Sequence, residues 1–304
     1  MSELFLTPGA IANLACSLEV TAPKPGNVHR GADFEDVTFS DFVTSAILLG
    51  QTIDQFHNKP VGETVLQSVL QTKTVVGTNT NLGIVLLIVP LSKIVAAEPS
   101  IELTSIKVAE FLNSLDSNDA NEIFEAIRVA NPGGLGNTQE LDVNQTVSED
   151  KEFDLLSAMK LAEDRDDIAR QFTTGYQDVF EMGIPLLLTG IQLFGNLIHA
   201  IVFLHVSLMS RRCDTLILRK CGAKTAKQSQ ILASKVIDEL GEIVVGSVAL
   251  LAEDQVESYW SHVSELDFWL RSDGHRRNPG TTADLVAATL FVAIQNRIIR
   301  PPFK

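Results

Sequence analysis

The side chains with the clearest chemical potential stand close together in the segment EVTAPKPGNVHR, residues 19–30. They are the carboxylate of Glu19, the cations of Lys24 and Arg30, and the imidazole of His29. Proline fixes φ and drives the preceding residue into an extended conformation, so Lys24, which stands between two prolines, has little backbone freedom. A stiff turn that presents cations next to a carboxylate indicates a site for phosphate groups.

Basic side chains also gather in two other parts of a chain whose net charge is −14. Arg219 and Lys220 belong to a basic segment over residues 211–227, and Arg277 directly precedes the Asn-Pro-Gly turn at 278–280. Arginine matches phosphate oxygens with a planar fork, whereas lysine acts as a mobile point charge. The two segments indicate a phosphate site or, alternatively, a solvated helix face and an ordinary loop.

Four carboxylates have the spacing of a possible magnesium site. Asp164 and Asp167 are three residues apart, as are Asp178 and Glu181, and residues at this spacing can share one face of a helix. Mg²⁺ takes one or two carboxylates, keeps several waters and bridges to substrate phosphates. We therefore predict that some of these four residues hold Mg²⁺. The alternative is an acidic helix start, where negative charge is favourable in any case.

The elements that must position these side chains are predicted to be helices. Helical periodicity recurs from end to end, 45% of the 304 residues are hydrophobic, and no composition shift divides the chain. The prediction is all-α, with residues 1–304 as a single compact catalytic domain. The predicted helices cover residues 3–20, 38–57, 61–76, 83–97, 101–113, 118–130, 151–164, 166–181, 184–210, 218–240, 242–265 and 281–299. The polar, glycine-containing segment 131–150 is predicted to be a surface loop or lid.

Composition also excludes some classes of function. The acidic net charge argues against a nucleic-acid-binding protein, which needs a basic face. Three cysteines without CxxC spacing, and a start without a signal peptide, favour the cytoplasm. Residues 182–210 lack Asp, Glu, Lys and Arg and are long enough to span a bilayer, but polar residues recur along them at helical spacing. We expect a buried helix there and no membrane association.

Four segments carry a family resemblance, and in chain order they are LEVTAPKPGNVHR (18–30), GTNTNLG (77–83), DTLILRKCG (214–222) and NPGTTADL (278–285). In this order they resemble the motifs of the triphosphoribosyl-dephospho-CoA synthases, and they span nearly the whole chain. That family is built almost wholly of helices, so the resemblance implies an all-α fold as well.

The resemblance implies that the protein moves the triphosphoribosyl group of ATP to 3′-dephospho-CoA and releases adenine. Glu19 would act as the general base or stabilise an oxocarbenium-like transition state, and His29 would help to protonate the departing adenine. Mg²⁺ and ATP are the expected cofactor and substrate, and small-molecule nucleotides the expected partners. The predicted substrate- and phosphate-binding residues are Lys24, Arg30, Asn79, Thr80, Asn81, Asp214, Arg219, Lys220, Arg277 and Asp284.

Some motif positions differ from the family's usual residues. Asn81 and Leu82 stand where the family has His and Lys, and Leu216 stands where it has Asn. A site built to hydrogen-bond one ligand rejects another strongly when its partners are left unpaired. Two alternatives therefore stay open: an ATP-dependent ribosyl or phosphoryl transferase with a different acceptor in another cofactor pathway, and a non-catalytic nucleotide-binding protein. The apolar helices are compatible with a homodimer and do not require one.

Overall fold

The computed structural model describes residues 6–131, 154–241 and 250–303, and this part of the chain is helical almost throughout. Beside the α-helices it contains one π-helix, Asp178–Gly183, and one four-residue strand, β1, Ser272–His275. The predicted all-α fold is confirmed. The helices are α1 Pro8–Thr21, α2 Phe39–Gln55, α3 Val61–Val76, α4 Leu82–Ala97, α5 Ser105–Leu112, α6 Ser117–Ala130, α7 Leu155–Ala162, α8 Asp167–Thr174, α9 Ile184–Phe194, α10 Leu197–Arg211, α11 Thr215–Cys221, α12 Ala223–Asp238, α13 Glu253–Arg271 and α14 Gly280–Gln295.

The centre of the fold consists of α4, α10 and α14, whose side chains are buried along almost their whole length. A helix that is apolar on all sides is stable in water only when other helices surround it. The amphipathic α1 covers this centre, since it packs on α2, α14 and α4. As a consequence the ends of α1, α4 and α14 lie near one another, and these are the ends that carry the sequence motifs.

The predicted helix over residues 184–210 is wrong in one respect, because the structure divides it into α9 and α10. Gly195 takes a left-handed conformation (φ 60°) that ends α9, and the Asn196 side chain accepts from the His199 N–H to begin α10. The polar residues of this segment thus include a helix cap. Among the described residues, no helix is long and apolar enough to cross a membrane.

The predicted helix over residues 166–181 is also wrong. Helix α8 ends at Gly175, and both Gly175 and Tyr176 have positive φ (62° each), so the chain turns before the π-helix begins. The π-helix then widens the helical turn, which changes the direction of every later side chain. Gly222 (φ 82°) separates α11 from α12 in the same way, within the predicted helix 218–240.

Other boundaries agree closely with the sequence. Helix α3 spans the predicted residues, and α4 begins one residue before its predicted start. Helix α2 is capped by Thr38 in a capping box with Asp41, at the start of the predicted helix 38–57. Most of the predicted loop 131–150, together with part of the predicted helix 242–265, lies outside the described residues.

Candidate active site

The four sequence motifs meet in one region of the structure. It is formed by the C-terminal end of α1 with the turn that follows, and by the N-terminal ends of α4, α11 and α14. Helix N-termini carry unsatisfied N–H groups and a partial positive charge, both of which favour negatively charged ligands. The fold therefore brings together one member of each motif, namely Glu19, Gly83, Asp214 and Asp284.

Glu19 lies in the last turns of α1 and is buried, at 4% exposure. Its Oε1 is 2.8 Å from Nζ of Lys24, which is fully buried and also donates to the backbone carbonyls of Glu19 and Ala22. Burial raises the pKa of Glu19, and the charge and hydrogen bond of Lys24 oppose that shift. Lys24 is thus the partner of a catalytic candidate, and its ammonium group does not face solvent.

The turn that carries Lys24 is held by α13. The N–H of Gly26 donates to Oδ1 of Asp267 at 2.7 Å, and Nη2 of Arg271 donates to the carbonyl of Asn27. Gly26 has φ 76°, and a Cβ there would lie 2.8 Å from a Leu270 side-chain carbon. A glycine is therefore required at this position by both its conformation and its packing.

Asp214 is fully engaged by two helix starts. Its Oδ1 accepts from the N–H groups of Leu216 (2.9 Å) and Ile217 (3.0 Å), which caps α11. Its Oδ2 accepts from the N–H and the hydroxyl of Thr282 in the first turn of α14, both at 2.8 Å. Burial raises the pKa of Asp214, and these hydrogen bonds oppose the shift. The geometry gives Asp214 a positioning role between α11 and α14.

Asp284 lies against the start of α4. A Cβ on Gly83 would come within 2.0 Å of Oδ2 of Asp284, so only a glycine leaves room for that carboxylate. This contact joins the second and the fourth sequence motifs. It also explains why the end of the GTNTNLG loop lies directly beside the first turn of α14.

Asp284 differs from its acidic neighbours because it has no partner. Among residues 6–131, 154–241 and 250–303 it makes no hydrogen bond and no ion pair. Burial by surrounding protein and the nearby charges of Glu19, Asp214 and Asp166 raise its pKa well above the ordinary range, and Arg219 opposes them only in part. Glu19 thus has a cation in contact. Asp284 is close enough for the charge of Glu19 to raise its pKa, but it has no cation in contact in the described part of the chain.

Arg219 lies near the edge of the site and forms an ion pair with Asp166. Its Nη1 donates to Oδ2 of Asp166, whose Oδ1 caps α8 through the N–H groups of Ile168 and Ala169. The Arg219 side chain is 21% exposed. Its guanidinium Nε is buried and has no hydrogen-bond partner in the described chain. Among the described residues, Arg219 therefore keeps one unpaired N–H donor that is enclosed by protein, while part of its side chain reaches the surface.

Two of the four predicted magnesium ligands lie together. Asp167 and Asp178 both contact Arg170, with Arg170 Nε 3.1 Å from Asp178 Oδ2, and Arg212 lies 3.6 Å from Asp178 Oδ1. Burial raises the pKa of Asp167 to about 7 although Arg170 opposes it. The four side chains line a small cavity together with Thr282 of α14.

The other two predicted ligands are not part of this cluster. Asp164 is exposed before α8, and Glu181 is exposed on the π-helix, where it accepts from Gln177. The turn at Gly175 and the π-helix rotate Glu181 away from the face that an uninterrupted helix would give it. No group of three or more His, Cys, Asp or Glu side chains in the described ranges is arranged to hold a metal ion. The predicted four-carboxylate arrangement is therefore not present.

His29 lies in the loop after the Pro-Lys-Pro-Gly turn, where its Nδ1 accepts from the N–H of Gly31 at 3.1 Å. Partial burial lowers its pKa, and the charge of Arg271 lowers it further. The neutral ring is therefore the main form near neutral pH, with its proton on Nε2. In this state His29 can donate a hydrogen bond, but it is poorly suited to deliver a proton.

The remaining predicted residues are spread around the region. Asn81 is buried at the start of α4 with no partner for its amide in the described chain, and Thr80 contacts Ser45 at 2.6 Å. Arg277 lies 4.4 Å above the Trp269 ring and donates to the Trp269 carbonyl, so it is largely used to hold α13. Arg30 and Asn79 are exposed, and Lys220 is partly buried.

Sequence reasoning missed several residues that shape the site. Arg170 and Arg212 neutralise Asp167 and Asp178, and Asp267 and Arg271 hold the turn of Lys24. No role was predicted for His205 of α10, which lies fully buried beside Asn27. Arg212 had a signal, because it belongs to the basic segment 211–227. The other four stand in ordinary helical sequence, where only the fold reveals their neighbours.

Comparisons with known proteins point to one family. The family described as ATP:dephospho-CoA triphosphoribosyl transferase (CitG) matches residues 6–301. A crystal structure from Archaeoglobus fulgidus, described provisionally as a triphosphoribosyl-dephospho-CoA synthase, is similar with a TM-score of 0.60 and 25% sequence identity. The similarity covers 86% of this chain and 100% of that one. No curated protein matches the chain.

Proposed function

Because the chain belongs to the ATP:dephospho-CoA triphosphoribosyl transferase family, we propose that Glu19 is the base and Asp284 the acid of its transfer reaction. The protein is an ATP-dependent transferase that moves the triphosphoribosyl group of ATP to 3′-dephospho-CoA with release of adenine. One observation carries the assignment of roles: two neighbouring carboxylates have opposite surroundings, since Glu19 is paired with Lys24 and Asp284 with nothing in the described chain. Opposite surroundings assign the base and the acid of a pair.

The reaction follows from this asymmetry. The acceptor hydroxyl gives its proton to Glu19 while its oxygen attacks the anomeric carbon of the ATP ribose. The bond from that carbon to the adenine nitrogen breaks, and Asp284 gives its proton to a ring nitrogen of the departing base. The transition state resembles an oxocarbenium ion, which the negative charge of Glu19 also stabilises. Solvent then returns the two carboxyl groups to their starting protonation states.

The role of His29 changes in this proposal. Its lowered pKa leaves it neutral, so we assign it a hydrogen bond to the substrate in place of the predicted proton transfer. The cations that would neutralise the triphosphate are Arg219 and, nearer the surface, Arg30 and Lys220. Lys24 acts through Glu19, since its ammonium is enclosed.

Mg²⁺ is part of the proposal as the ion that accompanies the triphosphate. It needs one or two protein carboxylates when substrate phosphates supply the other ligands. Asp167 and Asp178 fit this smaller requirement, because both are oxygen donors that line one cavity. Weaker binding of Mg²⁺–ATP by Asp178→Asn than by the wild type in calorimetry would support this pair; unchanged binding would contradict it.

The substrate assignment can be tested directly. Purified protein is incubated with Mg²⁺ and ATP, with and without 3′-dephospho-CoA, and adenine and adduct are measured by mass spectrometry. Adenine release that depends on the acceptor supports the proposal, and Glu19→Gln is expected to lower the turnover number about 100-fold or more. Adenine release in both tubes would indicate a different acceptor, namely water. Glu19→Gln with full turnover would remove Glu19 from the chemistry.

We also propose that the protein acts in the cytoplasm as one catalytic domain, and that it forms a homodimer. Three free cysteines fit a reducing compartment. Phe268 of α13, at 77% exposure, is an apolar side chain against which a second copy would pack. Light scattering after size exclusion measures the mass; a value near 33.1 kDa at all concentrations would contradict the homodimer.

A further inference from the structure

His205 is a buried titratable side chain that the proposed reaction does not use. It lies in the middle of α10 with no exposed surface, and its Nε2 is 3.3 Å from the amide nitrogen of Asn27. Its Nδ1 makes no hydrogen bond within the described chain. Burying a polar ring costs free energy relative to burying an apolar side chain of similar volume. The hydrogen bond to Asn27 offsets part of this cost, so we ask what the contact does for Asn27.

The ring is neutral in this environment. Burial lowers the pKa of His205 well below its usual value, and the charge of Lys24 lowers it further, while the Pro25 backbone opposes them. We assign Nε2 as the acceptor of this contact, because the amide nitrogen of Asn27 can only donate, and the ring proton is then on Nδ1. The side chain of Asn27 is therefore oriented by α10.

Asn27 belongs to the turn that places Lys24. The N–H of Asn27 donates to the Lys24 carbonyl at 3.2 Å, which closes the turn. Asp267 and Arg271 hold the same turn from α13, at Gly26 and at the Asn27 carbonyl. His205 of α10 therefore contacts the same turn from a second helix, and in this turn Lys24 Nζ lies 2.8 Å from the carboxylate of Glu19.

We propose that His205 is a positioning residue, which acts through Asn27 to keep the 24–27 turn in place and Lys24 in contact with Glu19. The inference rests on the proposed role of Glu19 as base, and it concerns no atom of the substrate. Without this hold Lys24 would leave the carboxylate, and a larger fraction of Glu19 would be protonated at a given pH. The other groups that face Glu19 are Asp284 of α14 and Cys16 of α1.

The test compares variants of two histidines on one helix. His205→Leu removes the acceptor for Asn27, whereas His205→Gln keeps an acceptor oxygen. His199→Leu is the matched control, because His199 also lies in α10 but packs against Trp260 at a ring distance of 4.8 Å, away from the turn. The pH profile of kcat/KM for ATP is measured for each.

We expect His205→Leu to move the acidic limb of the profile upward by about one pH unit, because Glu19 loses part of its interaction with Lys24. His205→Gln is expected to return the limb toward its original position, and His199→Leu to leave it unchanged. A folded His205→Leu with an unmoved limb and only a lower melting temperature would overturn the proposal. Asn27→Ser, which removes the partner from the other side, replaces His205→Leu if that variant does not fold, and the same outcomes apply.

A second readout does not depend on the role of Glu19. Labelling with an amine-reactive reagent followed by peptide mass spectrometry reports the accessibility of Lys24, which has no exposed surface in the structure. Faster labelling of Lys24 in His205→Leu supports the positioning role, and an unchanged rate overturns it. If Glu19→Gln retains the acidic limb, the proposed base is wrong, and the labelling result still decides the role of His205.

Discussion

At the scale of single residues, the site depends on how two carboxylates of similar chemistry acquire different protonation states. Glu19 has an ammonium group at 2.8 Å, and Asp284 has acidic neighbours without a contacting cation. The presence of Glu19 and Asp284 in motifs was visible in the sequence. Their difference was not, because it depends on Lys24 folding back under α1 instead of facing a phosphate.

Asp284→Asn tests this difference. We expect a turnover number lower by about 100-fold or more and a loss of the basic limb of the pH profile, because an amide cannot donate a proton to adenine. Glu19→Gln should instead remove the acidic limb, since a base must be ionised to act. Steady-state kinetics between about pH 5 and 9 separate the two. A basic limb that persists in Asp284→Asn would assign the acid to another group.

At the scale of elements, the backbone of α4 at Gly83 lies so close to the Asp284 side chain of α14 that it leaves no room for a Cβ atom. Gly83→Ala would place a methyl group within 2.0 Å of Oδ2 of Asp284. We expect the variant to lose about 1–3 kcal/mol of stability through forced movement of the two helix ends, and to lose activity as well. Denaturant unfolding measures the first effect and adenine release the second.

Two further variants make this prediction specific. The double variant Gly83→Ala, Asp284→Ser should regain stability, because a shorter side chain removes the overlap, but it should not regain activity. Gly31→Ala, whose Cβ would meet no atom closer than 3.4 Å, should change the stability by no more than about 0.5 kcal/mol. Equal stability of Gly83→Ala and the wild type would show that the helices adjust freely.

The helices also show where sequence reasoning ends. Periodicity located α3 and α4 well, because their patterns run without interruption between turn residues. The same reasoning joined α8 to the π-helix, since nothing in the local pattern indicates that Gly175 and Tyr176 both take positive φ. That error placed Glu181 on the wrong face and produced a four-carboxylate metal site that the fold does not form.

At the scale of the whole molecule, stability should depend on pH through a lysine far from the site. Lys93 of α4 is buried and donates to the carbonyls of Phe56 and Lys59, which ties α4 to the end of α2. Burial lowers its pKa to about 8 from 10.5, although Glu63 and Asp119 oppose the shift. The unfolded chain thus binds one more proton than the folded chain between these two values.

The sign of the effect follows from this proton difference. Stability rises with pH wherever the unfolded state binds more protons, so Lys93 lowers stability below about pH 8 and this cost is relieved on the way to about pH 10.5. Relative to Lys93→Met, the wild type should gain on the order of 2 kcal/mol of unfolding free energy between about pH 7 and 10. Urea unfolding at both pH values measures it. A constant difference between the two proteins would contradict the shift.

The hydrogen bonds that hold the turn after α1 against α13 affect the order in which the enzyme folds and becomes active. The hydrogen bond from Gly26 to Asp267 joins residues 241 positions apart, so it closes only when nearly the whole chain has been made and folded. Loops of this length close slowly compared with the formation of individual helices. In a refolding experiment the helical circular dichroism signal should therefore recover first. Adenine release should recover later, when the turn closes against α13.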